Sequence, residues 1–350
     1  MGVTHSTDIP LTGTELDSVA AVMRAAGVEV TQPLAAELIT GGRSNVTFRL
    51  TDGVSRWVLR MPPRAGRTPS AHDVAREHRV TAALAATGIP VARPVALCKD
   101  ESLLGGAFSV AEFVPGRTVR TRDQLAALDD ASLDTTVDQL LNSLAALHRV
   151  DHVRIGLEGF GRPGGYAERQ LRRWWGQWQL IGSAELDGLA RDLNDRLAGS
   201  IPKRQTTGIV HGDYRIDNVI LSPDSSSAPQ VAAIVDWELS TIGDAVADVA
   251  MMCAYRDPAF DLIVGSPSAW ASPRLPEPAA LAAAYERAGD IPLTDWDFHL
   301  ALAYFKIAVI AAGIDHRARA GAARGPGFDT AAESVATFLE LGRTTLGAHR

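Results

Sequence analysis

The residues whose types and spacing suggest chemistry lie in two short segments of the second half of the chain. The first is residues 211–218, with the sequence HGDYRIDN, and the second is residues 236–238 (DWE), which start 18 residues after Asn218. Each segment follows an apolar run, and the end of a strand presents side chains at the edge of a sheet. We therefore expect Asp213, Asn218 and Asp236 to converge. Two carboxylates and an amide oxygen suit Mg²⁺, a hard cation that prefers oxygen ligands.

A third segment, residues 41–45 (GGRSN), lies between two predicted strands. Absent or short side chains let the backbone N–H groups of such a loop approach a polyphosphate. Gly42, Ser44 and Asn45 are therefore candidates for phosphate contacts, although a glycine-rich loop alone is a weak signal.

Together these segments resemble the aminoglycoside phosphotransferase and choline kinase-like family, whose fold is that of the protein kinases. The specific part is His-Gly-Asp-x-x-x-x-Asn with a later Asp after an apolar strand. The sequence looks most like actinobacterial proteins named as aminoglycoside phosphotransferases, and like the kinase-like domain joined to acyl-CoA dehydrogenases. The resemblance implies an α+β, protein kinase-like, two-lobed fold. Its N-terminal lobe would be β-rich with one main helix, and its C-terminal lobe mostly helical.

The resemblance also implies roles for individual residues. Asp213 is similar to the catalytic Asp that orients the acceptor hydroxyl and accepts its proton, with Asn218 and Asp236 as Mg²⁺ ligands. Arg60 stands where this fold usually has a Lys that touches the α- and β-phosphates of ATP, and Glu77 is similar to the Glu that pairs with it. Arginine keeps the charge but has a planar head, so this position departs from the family pattern.

Further residues are assigned to the nucleotide base and to the support of the catalytic loop. Glu112 and Val114 look like the hinge that binds adenine through its backbone. Asp248 and His211 are expected to brace the loop. Arg215 and Asp217 are either contacts for phosphate or acceptor, or exposed loop charges.

Hydrophobic patterning predicts the elements that position these residues. Helices are expected at residues 14–26, 73–86, 137–148, within 166–197, and at 281–288, 295–318 and 331–341. Strands are expected at 34–40, 46–50, 56–61, 107–114, 208–210, 218–221 and 231–235, with an Asp52-Gly53 turn forming a hairpin. A Pro115-Gly116 break then separates a nucleotide-binding lobe, residues 1–114, from a catalytic and acceptor-binding lobe, residues 115–350.

Composition limits the function classes. The 350 residues carry 34 Lys and Arg against 41 Asp and Glu, and this net charge of −7 disfavours general nucleic-acid binding. The two cysteines, Cys98 and Cys253, suggest neither a disulfide framework nor a zinc site. The longest apolar run, residues 300–314, contains Lys306 and is too short to span a membrane. We expect a cytoplasmic protein that binds no nucleic acid and no membrane, and the sequence leaves the oligomeric state open.

The expected function is Mg²⁺-dependent transfer of the γ-phosphate of ATP to a hydroxyl group of a small-molecule acceptor. One alternative, motivated by Arg60, is a nucleotide-binding module without turnover. Another is a kinase of hydroxyacyl-type acceptors, because residues 166–178 combine Arg169, Arg172 and Arg173 with Trp174, Trp175 and Trp178. The other interpretation is a helix that buries its Trp side chains in the core while the charged ends of its Arg side chains reach solvent.

Overall fold

The computed structural model describes residues 10–39, 45–63, 73–222, 229–321 and 325–347. The chain forms two compact units. We call Met1–Gly116 with Ala232–Ser240 the N-terminal unit, and Arg117–Val231 with Thr241–Arg350 the C-terminal unit.

The N-terminal unit is built on a five-stranded antiparallel sheet in the order β1-β2-β3-β5-β4. Its elements are α1 (Gly13–Ala25), β1 (Ala35–Ile39), β2 (Val46–Thr51), β3 (Arg56–Met61), α2 (Val74–Leu84), β4 (Pro94–Cys98) and β5 (Phe108–Glu112). The β2–β3 hairpin turns at Asp52-Gly53, where Gly53 has φ +85°, a value that glycine tolerates and other residues rarely adopt. Alternate residues of the strands, such as Leu50 and Leu59, pack in one core with Met23 of α1.

Residues 232–240 belong to the N-terminal unit although they follow more than a hundred residues of the other unit. The amide of Ile234 donates to the carbonyl of Pro90 at 2.8 Å. The guanidinium of Arg76, on α2, donates to the carbonyl of Ser240 at 3.0 Å. These long-range contacts hold the segment that contains Asp236 against the N-terminal unit, whereas the expected boundary after residue 114 assigns residues 232–240 to the C-terminal lobe.

The C-terminal unit is mostly helical. Its helices are α3 (Arg122–Ala126), α4 (Asp130–Arg149), α5 (Tyr166–Ile181), α6 (Asp187–Ala198), α7 (Ala245–Ala254), α8 (Phe260–Val264), α9 (Pro278–Gly289), α10 (Trp296–Arg319) and α11 (Ala331–Thr345). The strands of the second half are β6 (Thr207–Val210), β7 (Val219–Leu221), β8 (Val231–Ile234) and β9 (Thr241–Asp244). Antiparallel pairing of β6 with β9, from Thr207↔Asp244 to Val210↔Thr241, sets the start of β6 beside Asp244, the residue before α7, and the end of β6 beside the start of β9.

Helix α10 is the central helix of this unit. Within the described residues it is the one helix long and apolar enough to cross a membrane by composition, but 78% of its most apolar window is buried inside the protein. It packs against α5, α6, α7 and α11, and residues such as Phe305 and Ile307 are fully buried. Its apolar character is therefore explained by a core position.

The mixed α+β class and the change from a sheet-rich to a helical half are confirmed. Two details differ from the sequence-based expectation. Helices α1 and α2 of the N-terminal unit match the helices expected at residues 14–26 and 73–86, but their ends shift by one or two residues. Strands β4 and β9 were not predicted, because β4 begins at a proline beyond a Pro-rich stretch and β9 contains Gly243 in only four residues.

Candidate active site

The catalytic-loop candidate begins directly after β6. Gly212 has φ +87°, so the chain turns there in a conformation suited to glycine. The carboxylate of Asp248, on α7, accepts the amide of His211 at 2.6 Å and the amide of Gly212 at 2.8 Å. One buried side chain thus binds two consecutive backbone donors, which is the bracing arrangement expected of Asp248.

Asp248 is itself held by a buried pair of rings. Nε2 of His148 lies 3.2 Å from Asp248 Oδ2, and Nδ1 of the same ring lies 2.6 Å from the hydroxyl of Tyr285. Burial raises the pKa of Asp248, but the hydrogen bond and charge of His148 and the backbone donors outweigh it, so the pKa lies below its ordinary value. The lowered pKa favours the ionised form of the Asp248 carboxyl group, which is the form that accepts the two backbone N–H groups.

Asp213 and Asn218 are brought together by the short 3₁₀ helix Ile216–Asn218. The amide nitrogen of Asn218 donates to the backbone oxygen of Asp213 at 2.7 Å and to its Oδ2 at 2.9 Å. The amide of Asp213 donates to Nδ1 of His211 at 3.3 Å. Asp213 is thus fixed at its backbone and at its carboxylate.

Charge around Asp213 favours its carboxylate form. Burial raises its pKa, but Arg215, His211 and a hydrogen bond from Tyr255 together bring the pKa below the ordinary value. Arg215 binds Oδ2 of Asp213 at 3.0 Å and Asp217 at 3.3 Å. An ionised carboxylate at neutral pH is the state that a proton acceptor requires.

Arg215 and Asp217 are not exposed loop charges. Only 11% of the Arg215 side chain and 25% of the Asp217 side chain are exposed. The guanidinium of Arg215 lies 4.9 Å from the ring centre of Tyr255 and 5.1 Å from that of Phe260, in cation–π contact. Sequence reasoning missed Tyr255, which follows α7 as its C-terminal capping residue and has no motif around it.

The N-terminal unit gathers a second group of predicted residues. Arg60, on β3, contacts Glu77 Oε2 at 3.1 Å and Asp236 Oδ1 at 3.2 Å. Asn45 donates to Glu77 Oε1 at 3.2 Å. Asp236 adopts φ +67°, an uncommon conformation for a residue with a side chain. Arginine therefore makes the ion pair with the helix Glu that the resemblance implies for a Lys.

Burial dominates the electrostatics of Glu77. Because the side chain is buried on α2, its pKa rises to about 7, although Arg60 and Asn45 oppose the rise. Ligand atoms of Glu77, Asp236 and Glu238 all lie within 4.8 Å of one another. Among the described residues this is the one acidic group that could hold a metal ion.

The donor chemistry in both units fits Mg²⁺. Asp236 and Glu238 offer carboxylate oxygens, which are the hard donors that this cation takes. In the C-terminal unit the amide nitrogen of Asn218 is engaged by Asp213, so its amide oxygen is the atom that a cation would use.

Among the described residues, the two hinge candidates Glu112 and Val114 form no hydrogen bond or ion pair with these groups. Glu112 forms an ion pair with Arg93, and its backbone amide donates to the carbonyl of Arg93. Val114 lies two residues after β5 and is partly buried. Gly42 and Ser44 lie outside the described residues.

A pocket in the C-terminal unit opens beside Gly212. It is lined by residues of β6 and its following turn, α5, α7 and α10, among them Trp174, Met251, His299 and Lys306. Trp174 thus borders the catalytic loop, whereas Trp178 is fully buried in the core and Arg172 and Arg173 are exposed. Helix α5 thus buries Trp178 in the core, as one interpretation of its sequence expects, and acceptor binding by this helix stays a prediction.

Comparisons with known proteins agree with this fold. Residues 35–302 match the family described as the phosphotransferase enzyme family. A solved structure from Ralstonia eutropha, named a "putative aminoglycoside phosphotransferase", is 34% identical, has a TM-score of 0.81 and covers 95% of this chain and 98% of its own. Plasmodium vivax ethanolamine kinase, 11% identical, shares the fold alone, with a TM-score of 0.61 and coverage of 91% and 85%.

Similar sequences occur within longer proteins. Human acyl-CoA dehydrogenase family member 11 is 34% identical over 280 residues, which are 79% of this chain and 35% of that protein. Mouse acyl-CoA dehydrogenase family member 10 is 31% identical over 303 residues, 85% of this chain and 28% of that protein. The chain thus spans about a third of the length of the curated relatives that it matches.

Fold and comparisons together define a protein kinase-like phosphotransferase, as the sequence resemblance implies. The chain belongs to the phosphotransferase enzyme family. The predicted fold class and the family resemblance are confirmed, and the predicted enzyme class is that of this family of phosphotransferases.

Proposed function

We propose that the protein transfers the γ-phosphate of ATP to a hydroxyl group of a small molecule, with Asp213 as the proton acceptor. The observation that carries the proposal is the state of Asp213. Its carboxylate is held by Asn218 and Arg215 on a loop whose backbone amides bind Asp248. A fixed and ionised carboxylate can orient an acceptor hydroxyl and take its proton as the phosphoryl group is transferred.

The nucleotide is assigned to the Arg60 group. Arg60 would bind phosphate oxygens of ATP, with Glu77 and Asn45 holding that side of the site, and Gly42, Ser44, Glu112 and Val114 stay candidates for nucleotide contacts. Structural neighbours that share the fold were solved with AMP-PNP or ADP, which supports ATP as the donor. A guanidinium binds two phosphate oxygens at once, so it suits this position although its geometry differs from that of a Lys.

Mg²⁺ is proposed as the cofactor, with Asp236 and Asn218 as its ligands. Bound there, the cation would neutralise charge on the phosphates of the nucleotide. A carboxylate oxygen of Glu238 lies within 4.8 Å of those of Glu77 and Asp236, so Glu238 offers a further oxygen donor. A cytoplasmic location and the absence of nucleic-acid or membrane partners also stay proposals.

The decisive experiment is an ADP-coupled screen of sugars, amino alcohols and hydroxy acids with Mg·ATP, followed by Asp213→Asn. We expect turnover of the best acceptor to fall by at least ~10²-fold while Mg·ATP affinity is nearly unchanged. Asp138→Asn is the matched control, because that carboxylate is exposed on α4. Normal turnover of Asp213→Asn would contradict the role of Asp213.

The same screen separates the enzyme from a nucleotide-binding module without turnover. Both would bind Mg·ATP in calorimetry, but only the enzyme would show ADP formation that disappears in Asp236→Ala. The retained Arg60–Glu77 ion pair favours the enzyme.

A kinase of hydroxyacyl-type acceptors is the second candidate. Two observations favour it: the relatives within acyl-CoA dehydrogenase family members, and the aromatic ring of Trp174 in the pocket beside Gly212. Trp174→Ala should then raise the KM of a hydroxyacyl acceptor more than that of an amino alcohol. Equal effects on both acceptors would remove this candidate.

A further inference from the structure

Lys306 is an unusual residue in its helix. It is the single charged side chain in residues 300–314 of the core helix α10, and it is only partly exposed. Removing an ammonium group from water is costly unless polar partners replace the water. Burial accordingly lowers the pKa of Lys306, while the carboxylates of Asp213 and Asp248 oppose the fall.

The contacts of Lys306 are directed at the catalytic loop. Its ammonium nitrogen lies 3.4 Å from the carbonyl oxygen of Gly212. It also lies 5.7 Å from the ring centre of Trp174, in cation–π contact across the pocket. Helix α10 thus places one positive charge against the catalytic loop, and no sequence motif links these two segments.

The Gly212–Asp213 peptide is consequently held at both polar ends. Its carbonyl oxygen is bound by Lys306, and its N–H donates to His211 Nδ1 at 3.3 Å. The preceding amide, of Gly212, is held by Asp248 at 2.8 Å. Because Gly212 has φ +87° and lacks a side chain, its backbone would otherwise have wide conformational freedom.

We propose that Lys306 is a positioning residue: its ammonium fixes the Gly212 carbonyl and thereby the direction in which Asp213 presents its carboxylate to the acceptor hydroxyl. This inference rests on the proposed function of Asp213. It assigns to α10 a part in catalysis that no motif of the sequence indicates. Because Lys306 acts through the catalytic loop, its removal should change the rate of phosphoryl transfer more than it changes the affinity for the nucleotide.

The test compares Lys306→Met, which keeps the apolar stem and removes the charge, with Arg317→Met, an exposed cation on the same helix. With the best acceptor of the screen, we expect Lys306→Met to lower kcat by about 10²-fold with the KM for ATP unchanged, since a small misplacement of a reacting group costs this much. Arg317→Met should retain wild-type kcat, and both variants should keep the wild-type melting temperature.

Two readouts distinguish positioning from a general structural role. In Lys306→Ala, added ethylamine should enter the pocket and restore part of the lost kcat, whereas it should not restore Asp213→Asn. Hydrogen exchange followed by mass spectrometry should show faster exchange in the peptide that contains residues 211–215 of Lys306→Met, and wild-type exchange there in Arg317→Met.

The exchange measurement requires no turnover. It therefore tests whether Lys306 restrains the backbone of residues 211–215 even if the screen yields no acceptor and the proposed function fails. Wild-type exchange of residues 211–215 in Lys306→Met would overturn the proposal. So would a variant with unchanged kcat, or one in which only the acceptor KM rises, because Lys306 would then bind the acceptor rather than position the loop.

Discussion

The ion pair between Arg60 and Glu77 allows a quantitative prediction about stability. The side chain of Arg60 is 23% exposed and that of Glu77 is 8% exposed. In Arg60→Met, among the described residues, Asn45 would be the side chain that still donates a hydrogen bond to the buried carboxylate of Glu77. Breaking a buried pair by removing one partner typically costs about 3–5 kcal/mol, because an unpaired buried charge remains.

The pH dependence of that cost follows from Glu77. Its pKa rises from 4.5 to about 7 in the folded protein, so the folded state holds this proton more tightly than the unfolded chain. Its contribution to stability is therefore complete below pH 4.5 and is lost as the pH rises towards 7. Removing Arg60 raises the folded pKa further, which extends the loss above pH 7.

The extra cost of Arg60→Met should accordingly appear above pH 7. Between pH 7 and 8.5 the free energy of unfolding of the variant should fall by up to about 2 kcal/mol more than that of the wild type. This difference corresponds to about 1.4 kcal/mol for each pH unit. At pH 6 the Glu77 carboxyl is mostly protonated in both proteins, so the destabilisation should be smaller by that amount.

Urea unfolding followed by circular dichroism at pH 6 and 8.5, with EDTA to remove divalent cations, measures these differences. Glu77→Gln combined with Arg60→Met should abolish the difference between the two pH values. Arg49→Met is the matched control on β2, because its pair with Glu37 is exposed and should contribute less than about 1 kcal/mol at either pH. An equal cost of Arg60→Met at both pH values would refute the reasoning, as would a pH difference that survives in the double variant.

Two further predictions concern the C-terminal unit. Tyr255→Phe removes a hydrogen bond that helps to lower the pKa of Asp213, so the acid limb of the kcat–pH profile should move to higher pH; an unmoved limb would exclude this contribution. Gly161→Ala would place a Cβ 2.5 Å from the backbone nitrogen of Ile242, so we expect a loss of about 1–3 kcal/mol in urea unfolding, whereas Gly164→Ala has open space and should be nearly neutral.

Local elements were predictable because their signals are local. The Asp52-Gly53 turn between two apolar runs predicted the β2–β3 hairpin, and the apolar spacing of residues 137–148 predicted the second half of α4. The group of candidate residues was also recoverable, because the spacing from His211 to Asn218 and the later Asp236 is specific to one family of phosphotransferases.

The partners of those residues could not be derived in the same way. Lys306 looked like an interruption of an apolar helix, and Arg215 like a possible exposed charge, since sequence spacing carries no information on contacts across 94 residues or on burial. The Arg60 substitution likewise could be judged only when its distances to Glu77 and Asp236 were known.

The sequence by itself determined the family, the fold class and which residues are candidates for chemistry, because motif spacing and hydrophobic periodicity are properties of neighbouring residues. Only the tertiary structure decided that residues 232–240 join the N-terminal unit, that Asp248 and Lys306 hold the backbone before Asp213, and that Glu77 is buried. The physical reason is that hydrogen bonds, ion pairs and desolvation depend on distance and burial in the folded chain, and these are set by packing between segments far apart in sequence.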